Sequence, residues 1–134
     1  HEDRMHELVQ MIEAADSYIF ASPTNFYSVT AVFKRFMERL VVYASWPWGM
    51  FSPKYRKKKT VKKAMLIASS AAPGLMGRMF YGTLKQLQMT AKTVGARPVG
   101  SLFIGNMSQH EHPELTEKTQ EQVSSMVRKL IQVR

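Results

Sequence analysis

Two short stretches concentrate the small, hydroxyl and amide residues through which a polar ligand is held: Ser22-Pro23-Thr24-Asn25-Phe26-Tyr27-Ser28 and Ser69-Ser70-Ala71-Ala72-Pro73-Gly74. The first also carries an aromatic pair, Phe26 and Tyr27. Taken alone, Ser-Pro-Thr-Asn is a common turn composition, so an isolated loop of this kind weighs toward a purely structural turn. A metal reading attaches to His1, His6, His110 and His112, with Glu111 and Glu114 beside the last two. Without a third firm ligand at typical spacing a solvated loop outweighs it, and no metal is expected. No cysteine occurs, which excludes a disulfide framework and a thiolate site within these residues.

The third chemical cluster is cationic. Lys54, Arg56, Lys57, Lys58, Lys59, Lys62 and Lys63 follow one another without an acid and account for most of the formal net charge of +9. The basicity is therefore a local patch. A solvated loop is the first reading, and recognition of a phosphate, including that of a nicotinamide cofactor, is the second. An anionic membrane surface ranks third and is disfavoured as a partner, although Trp46, Trp48, Met50 and Phe51 would supply interfacial anchors. Nucleic acid is weaker still, because the aromatics precede the cations instead of interleaving with them. An aromatic loop of this kind also suits a subunit contact or a lid.

The elements that must position these groups are legible from apolar spacing. Met5, Leu8, Val9 and Ile12 recur at helical intervals, and Ser17 to Ala21 reads as a buried strand closed by Ser22-Pro23. Ser28 is placed to cap a helix whose stripe is Val29, Val32, Phe33, Phe36, Leu40 and Tyr43, running to about Ala44. Two prolines and a glycine predict irregular chain over 46–60. Lys63 to Ala68 is a second strand, and a helix from about Leu75 to Val94 is terminated by Gly95. Val99 to Ile104 is a third strand, and Pro113 opens a final helix with Leu115, Val123, Met126, Val127, Leu130 and Ile131 on its apolar face.

Strict alternation of helix and strand predicts an α/β layer fold, three parallel strands and four helices. In such sheets ligands bind beyond the carboxyl ends of the strands, where both polar stretches fall. Three strands with four helices cover the two sheet faces poorly, so a partner strand beside Ser17–Ala21 is expected, from residues preceding His1 or from another chain.

The run from Ser22 to Arg39, a Ser-Pro-Thr-Asn-Phe-Tyr loop leading into Ala31-Val32-Phe33-Lys34-Arg35-Phe36-Met37-Glu38-Arg39, resembles the NADPH-dependent FMN reductase and multimeric flavodoxin family. Ile67 to Gly74 looks like the next flavin-contacting loop of that family. The resemblance implies a flavodoxin-like three-layer sandwich with sheet order 2-1-3-4-5, of which residues 1–134 form one N-terminally incomplete domain holding the last three strands. It further implies that Ser22, Pro23, Thr24, Asn25, Phe26, Tyr27, Ser28, Ser69, Ser70, Ala71, Ala72, Pro73 and Gly74 contact FMN, with Phe26 or Tyr27 near the flavin face and no catalytic acid or base.

The implied activity is NAD(P)H-dependent hydride transfer through FMN to a small acceptor by a homodimer or homotetramer; the absence of cysteine points to a cytoplasmic protein, and no nucleic-acid partner is expected. The alternative is a non-catalytic module of the same fold whose Trp/basic loop, residues 46–63, holds an acidic partner or membrane surface.

Overall fold

The computed structural model of the chain describes residues 4–55, 62–109 and 111–132. His1, His110 and the basic residues Arg56 to Lys59 lie outside them. The elements run α1 (Met5–Ala14), β1 (Ser17–Pro23), α2 (Ala31–Arg39) prolonged by a 3-10 turn (Leu40–Tyr43), β2 (Ala44–Ser45), β3 (Lys54–Tyr55), β4 (Lys62–Ser69), α3 (Gly74–Phe80), α4 (Thr83–Thr93), β5 (Ala96–Ile104) and α5 (Glu117–Ile131). β1, β4 and β5 pair in parallel in that order, and β2 pairs with β3 as a separate antiparallel hairpin.

β4 lies between the other two strands and is buried or half-buried along its whole length, as a near-continuous apolar run predicts for a parallel sheet covered on both sides. Ala64, Leu66 and Ala68 join Tyr18 and Phe20 under α1, α2 and α4, where Ile12, Leu40, Tyr43, Leu87, Ala91 and Val94 complete the larger core. Met65 faces the other way and packs with Leu102, Met126 and Leu130 beneath α5. The result is three layers. The layer on the α5 side is thinner: Ile19 of β1 turns to that face and is 57% exposed, and among the described residues β1 has a strand neighbour only on its β4 side.

Two consecutive lysines tie the layers together. Side chains of successive strand residues point to opposite faces. Lys62 Nζ donates to the carbonyls of Ile12 (3.0 Å) and Glu13 (2.6 Å) at the end of α1, and Lys63 Nζ donates to those of Lys129 (2.8 Å) and Gln132 (2.6 Å) at the end of α5. Both ammonium groups thus satisfy carbonyls that lack a helical partner, at the negative pole of a helix dipole. They are withdrawn from the solvated patch that the basic run predicts.

The structure departs from the sequence expectation in several boundaries. The helix expected over 75–94 is two helices, so the described residues form five α-helices. Tyr81 is extended, and the Gly82 amide donates to the Tyr27 carbonyl at 2.8 Å instead of continuing the helix. Gly95 does end α4, at φ +78°, a left-handed conformation that costs glycine little. Thr30, not Ser28, caps α2, its hydroxyl accepting from the Phe33 amide. α5 starts at Glu117 behind a Thr116 cap, four residues beyond Pro113. β5 starts at Ala96 and contains Pro98, tolerated because β5 is an edge strand; pairing steps from Ala64↔Pro98 to Met65↔Gly100, leaving Val99 as a bulge.

Candidate functional site

Parallel pairing of β1 with β4 in the register Pro23↔Ser69 brings the two polar stretches out side by side at the carboxyl rim of the sheet. The Thr24 amide donates to the Ser69 carbonyl at 2.7 Å, which continues the ladder one step into the loops.

The first loop is a tight turn. Asn25 and Ser28 exchange both backbone hydrogen bonds, 2.9 and 3.0 Å, and the two residues between them, Phe26 (φ 48°) and Tyr27 (φ 65°), both lie in the left-handed region. That pair of dihedrals ordinarily calls for Gly, Asn or Asp. A non-glycine residue there is held by its surroundings. Gly82 binds the Tyr27 carbonyl, and the Tyr27 ring meets Tyr81 edge-on at 4.9 Å. Gln86 Oε1 of α4 accepts from the Ser28 hydroxyl (2.9 Å) and the Val29 amide (3.1 Å), and the Thr24 and Thr83 hydroxyls are 2.8 Å apart. What this scaffolding displays is Phe26, 98% exposed at the tip of the turn.

The second loop is held from the other side, by the chain after β5. The Ser70 amide donates to the Ile104 carbonyl (2.9 Å), Met107 donates to the Ser70 carbonyl (3.1 Å) and Asn106 to the Ala72 carbonyl (3.0 Å). Asn106 sits at φ 60°, the non-glycine residue type best suited to that conformation. Gly105 and Gly74 cross in contact: a Cβ on Gly105 would stand 2.1 Å from the Gly74 nitrogen.

The thirteen residues singled out in the sequence divide into two groups. Ser22 and Ser70 are buried and their hydroxyls are spent internally: Ser22 Oγ donates to the Pro23 carbonyl and accepts from the Thr30 amide, and Ser70 Oγ donates to the Ala72 carbonyl. Thr24 and Ser28 hold the first loop to α4, and Pro23 and Ser69 pair where β1 and β4 end. These six shape the rim. Asn25, Phe26 and Tyr27 face solvent on one side, and the small residues Ala71, Ala72, Pro73 and Gly74 line the other. Sequence reading missed Tyr81, Gly82, Thr83, Gln86 and Asn106, which do the anchoring; a polar Gln-Thr-Thr set inside a helix stripe was the one available signal.

The rim presents backbone groups, small side chains and an exposed aromatic ring, the kinds of contact that a planar conjugated group uses. One side offers an aromatic ring fixed outward by a left-handed turn, and the opposite side has no side chain larger than proline to obstruct it. No acidic or basic side chain lies among the thirteen. Two clefts among the described residues lie elsewhere: one of 290 Å³ lined by Leu66, Leu84, Gln88 and the 98–101 segment, the other of 210 Å³ between α1 and α2. Among the described residues no three His, Asp or Glu side chains converge on one point.

The aromatic hairpin is no lid over these turns. Its base is set at the amino rim, where Lys92 at the end of α4 lies 5.1 Å from the Tyr55 ring centroid. A tip of this length reaches at most about 14 Å from its base. The eight residues of β4 separate the rims by about 26 Å.

Comparison with solved structures returns the same architecture. The chain is similar to an NADPH-quinone reductase from P. pentosaceus (14% identity, 99% of this chain and 77% of that one, TM-score 0.60). It is also similar to a thermophilic tryptophan halogenase from Streptomycin violaceusniger (16%, 99% and 76%, TM-score 0.56) and to general stress protein 14 from Treponema denticola in complex with FMN (18%, 96% and 71%, TM-score 0.50). At these identities the likeness is one of fold. No curated protein matches the chain in sequence. The family model for the flavodoxin-like fold matches residues 1–127, and with its parallel β1-β4-β5 order and three layers the chain belongs to that family.

Proposed function

We propose that the chain is an FMN-binding, NAD(P)H-dependent oxidoreductase acting on a small acceptor such as a quinone. The observation that carries the reading is the juxtaposition of the Asn25–Ser28 turn and the Ala71–Gly74 loop at one rim of a parallel sheet, with Phe26 held outward against its backbone preference. The quinone reductase and the FMN complex among the similar structures support it.

In this reading Asn25, Phe26 and Tyr27 contact one side of the flavin ring, and the backbone of Ala71 to Gly74 the other. When bound, FMN supplies hydride transfer between a nicotinamide and the acceptor. The chain's own contribution is to fix the aromatic wall through Gly82 and Gln86, and to keep the opposite wall low with small residues. The working unit is a homodimer or homotetramer, for which the exposed apolar residues of α3, Leu75, Met76, Met79 and Phe80, supply a contact beside the rim.

FMN titration followed by flavin fluorescence, together with NADPH oxidation in the presence of a quinone, tests the assignment. Quenching by the native chain and at least about tenfold weaker binding by Phe26→Ala are expected. A chain that neither quenches FMN nor oxidises NADPH in its presence overturns the reading.

A further inference from the structure

The hairpin of β2 and β3 stands apart from both the cores and the carboxyl rim. Two residue pairs, Ala44↔Tyr55 and Ser45↔Lys54, form its base. Its tip is folded: Met50 donates to the Pro47 carbonyl at 3.2 Å, Gly49 turns the chain at φ +78°, and the Trp46 indole donates to the Met50 carbonyl at 2.7 Å. Closing in this way presents the aromatics. Trp48 and Phe51 are completely exposed, at 103% and 102%, Trp46 is largely so and Met50 partly. Soluble surfaces bear single exposed apolar residues without consequence, but four within the six residues 46–51 mark a contact.

The charge beside the tip decides what kind of contact. Lys54 is exposed in β3, and Arg56, Lys57, Lys58 and Lys59 follow Tyr55 directly in the chain. Lys92 is drawn to the same base by Tyr55. No acidic residue occurs in the sequence from Arg39 to His110. An isologous contact with a second copy would oppose this cationic segment to itself, which disfavours that partner. Aromatic side chains at a protruding tip, with cations alongside, match the interfacial zone of a lipid bilayer, where Trp is favoured and Lys and Arg meet anionic headgroups.

We propose that the 46–51 tip, with Lys54 and Lys92 at its base, docks the protein on an anionic lipid surface. No helix among the described residues is long and apolar enough to cross a membrane, so the attachment is peripheral. It occurs at the amino rim, and the two polar turns at the opposite rim stay open to solvent. The proposal stands whether or not the chain binds FMN.

The test is co-sedimentation of the full chain with vesicles of phosphatidylcholine alone and of equal parts phosphatidylcholine and phosphatidylserine. Indole fluorescence and oligomeric mass are recorded in parallel. The expected result is sedimentation with the anionic vesicles only, weakening as salt rises, with a blue shift of indole emission. Trp48→Ala with Phe51→Ala lowers the partition at least about tenfold, and replacing Lys54 and Lys92 by Gln does the same with native unfolding behaviour. No sedimentation with anionic vesicles at low salt overturns the proposal. Equal binding by the aromatic double variant also does, as does a fall in oligomeric mass in that variant, which identifies a subunit contact. Tight binding to a soluble acidic polypeptide in the absence of vesicle binding makes the partner a protein and overturns it too.

Discussion

Phe26 is where backbone strain and proposed function meet in one side chain. A left-handed L-residue costs about 1–2 kcal/mol, whereas glycine there costs little but adds about 0.5–1 kcal/mol of unfolded-chain entropy. Since the ring is 98% exposed, its removal forfeits no packing. Phe26→Gly is therefore expected to stabilise the chain by up to about 1 kcal/mol in urea unfolding, and Phe26→Ala, which keeps the strain, to gain nothing. Both variants lose the ring. Equal stabilisation by Ala and Gly would show that the turn is not strained at this residue. Tyr18 offers a different readout. Its hydroxyl donates to the Ile12 carbonyl at 2.6 Å, and burial, followed by the Glu13 carboxylate, raises its pKa above the ordinary 10.0. The folded state thus holds the phenolic proton more tightly than the unfolded one. Its contribution is complete below pH 10.0 and is lost as pH rises through the higher folded value. Tyr18→Phe is expected to flatten the alkaline fall in stability; an unchanged slope above that pH would show that the phenol contributes none of it.

The elements were legible wherever apolar spacing agreed with what the chain buries, and illegible where a distant partner intervened. The Met76, Phe80, Leu84, Leu87 stripe keeps helical phase through Tyr81 and Gly82, so local pattern reads one helix. What breaks it is the Tyr27 carbonyl, more than fifty positions upstream, which claims the Gly82 amide. Met76 and Phe80 are consequently exposed, not core. Ser28 and Thr30 are both competent caps, and Gln86 decides between them by taking the Ser28 hydroxyl. The two polar turns were readable as composition, but the residues that anchor them lie on α4 and after β5. Packing between elements also orders three glycine variants. Gly105→Ala drives a Cβ to 2.1 Å from the Gly74 backbone, which cannot yield without separating α3 from β5; a cost of about 3 kcal/mol is expected, with loss of the second loop's register. Gly77→Ala meets the Phe103 ring at 2.3 Å and is expected to cost about 2 kcal/mol. Gly100→Ala meets only the flexible Met126 side chain, and about 1 kcal/mol suffices to turn it aside. A different rank order in urea unfolding would show that backbone contact is not what fixes these positions.

At the scale of the whole molecule, the cationic stretch is not one feature but two. Its first residue, Lys54, stands in β3 at the base of the aromatic tip, and its last two residues hold the layers of the sandwich. This division was invisible in the sequence, where Lys62 and Lys63 merely close a run of like charges; strand alternation sends them to opposite faces, and only the helix ends found there give them partners. Each ammonium accepts the role of a C-cap for one helix, so Lys62→Met should loosen α1 and Lys63→Met should loosen α5, each at about 1 kcal/mol because the stem's packing is retained. The two groups share no hydrogen-bond acceptor and lie on opposite sides of β4. Their effects should then add within about 0.5 kcal/mol in the double variant. Hydrogen exchange distinguishes the layers: the Lys62 variant should lose protection in α1 and keep it in α5, and the Lys63 variant the reverse. A single variant that unprotects both helices, or a double variant far from additive, would mean that the lysines act through β4 itself and that the two layers are one cooperative unit.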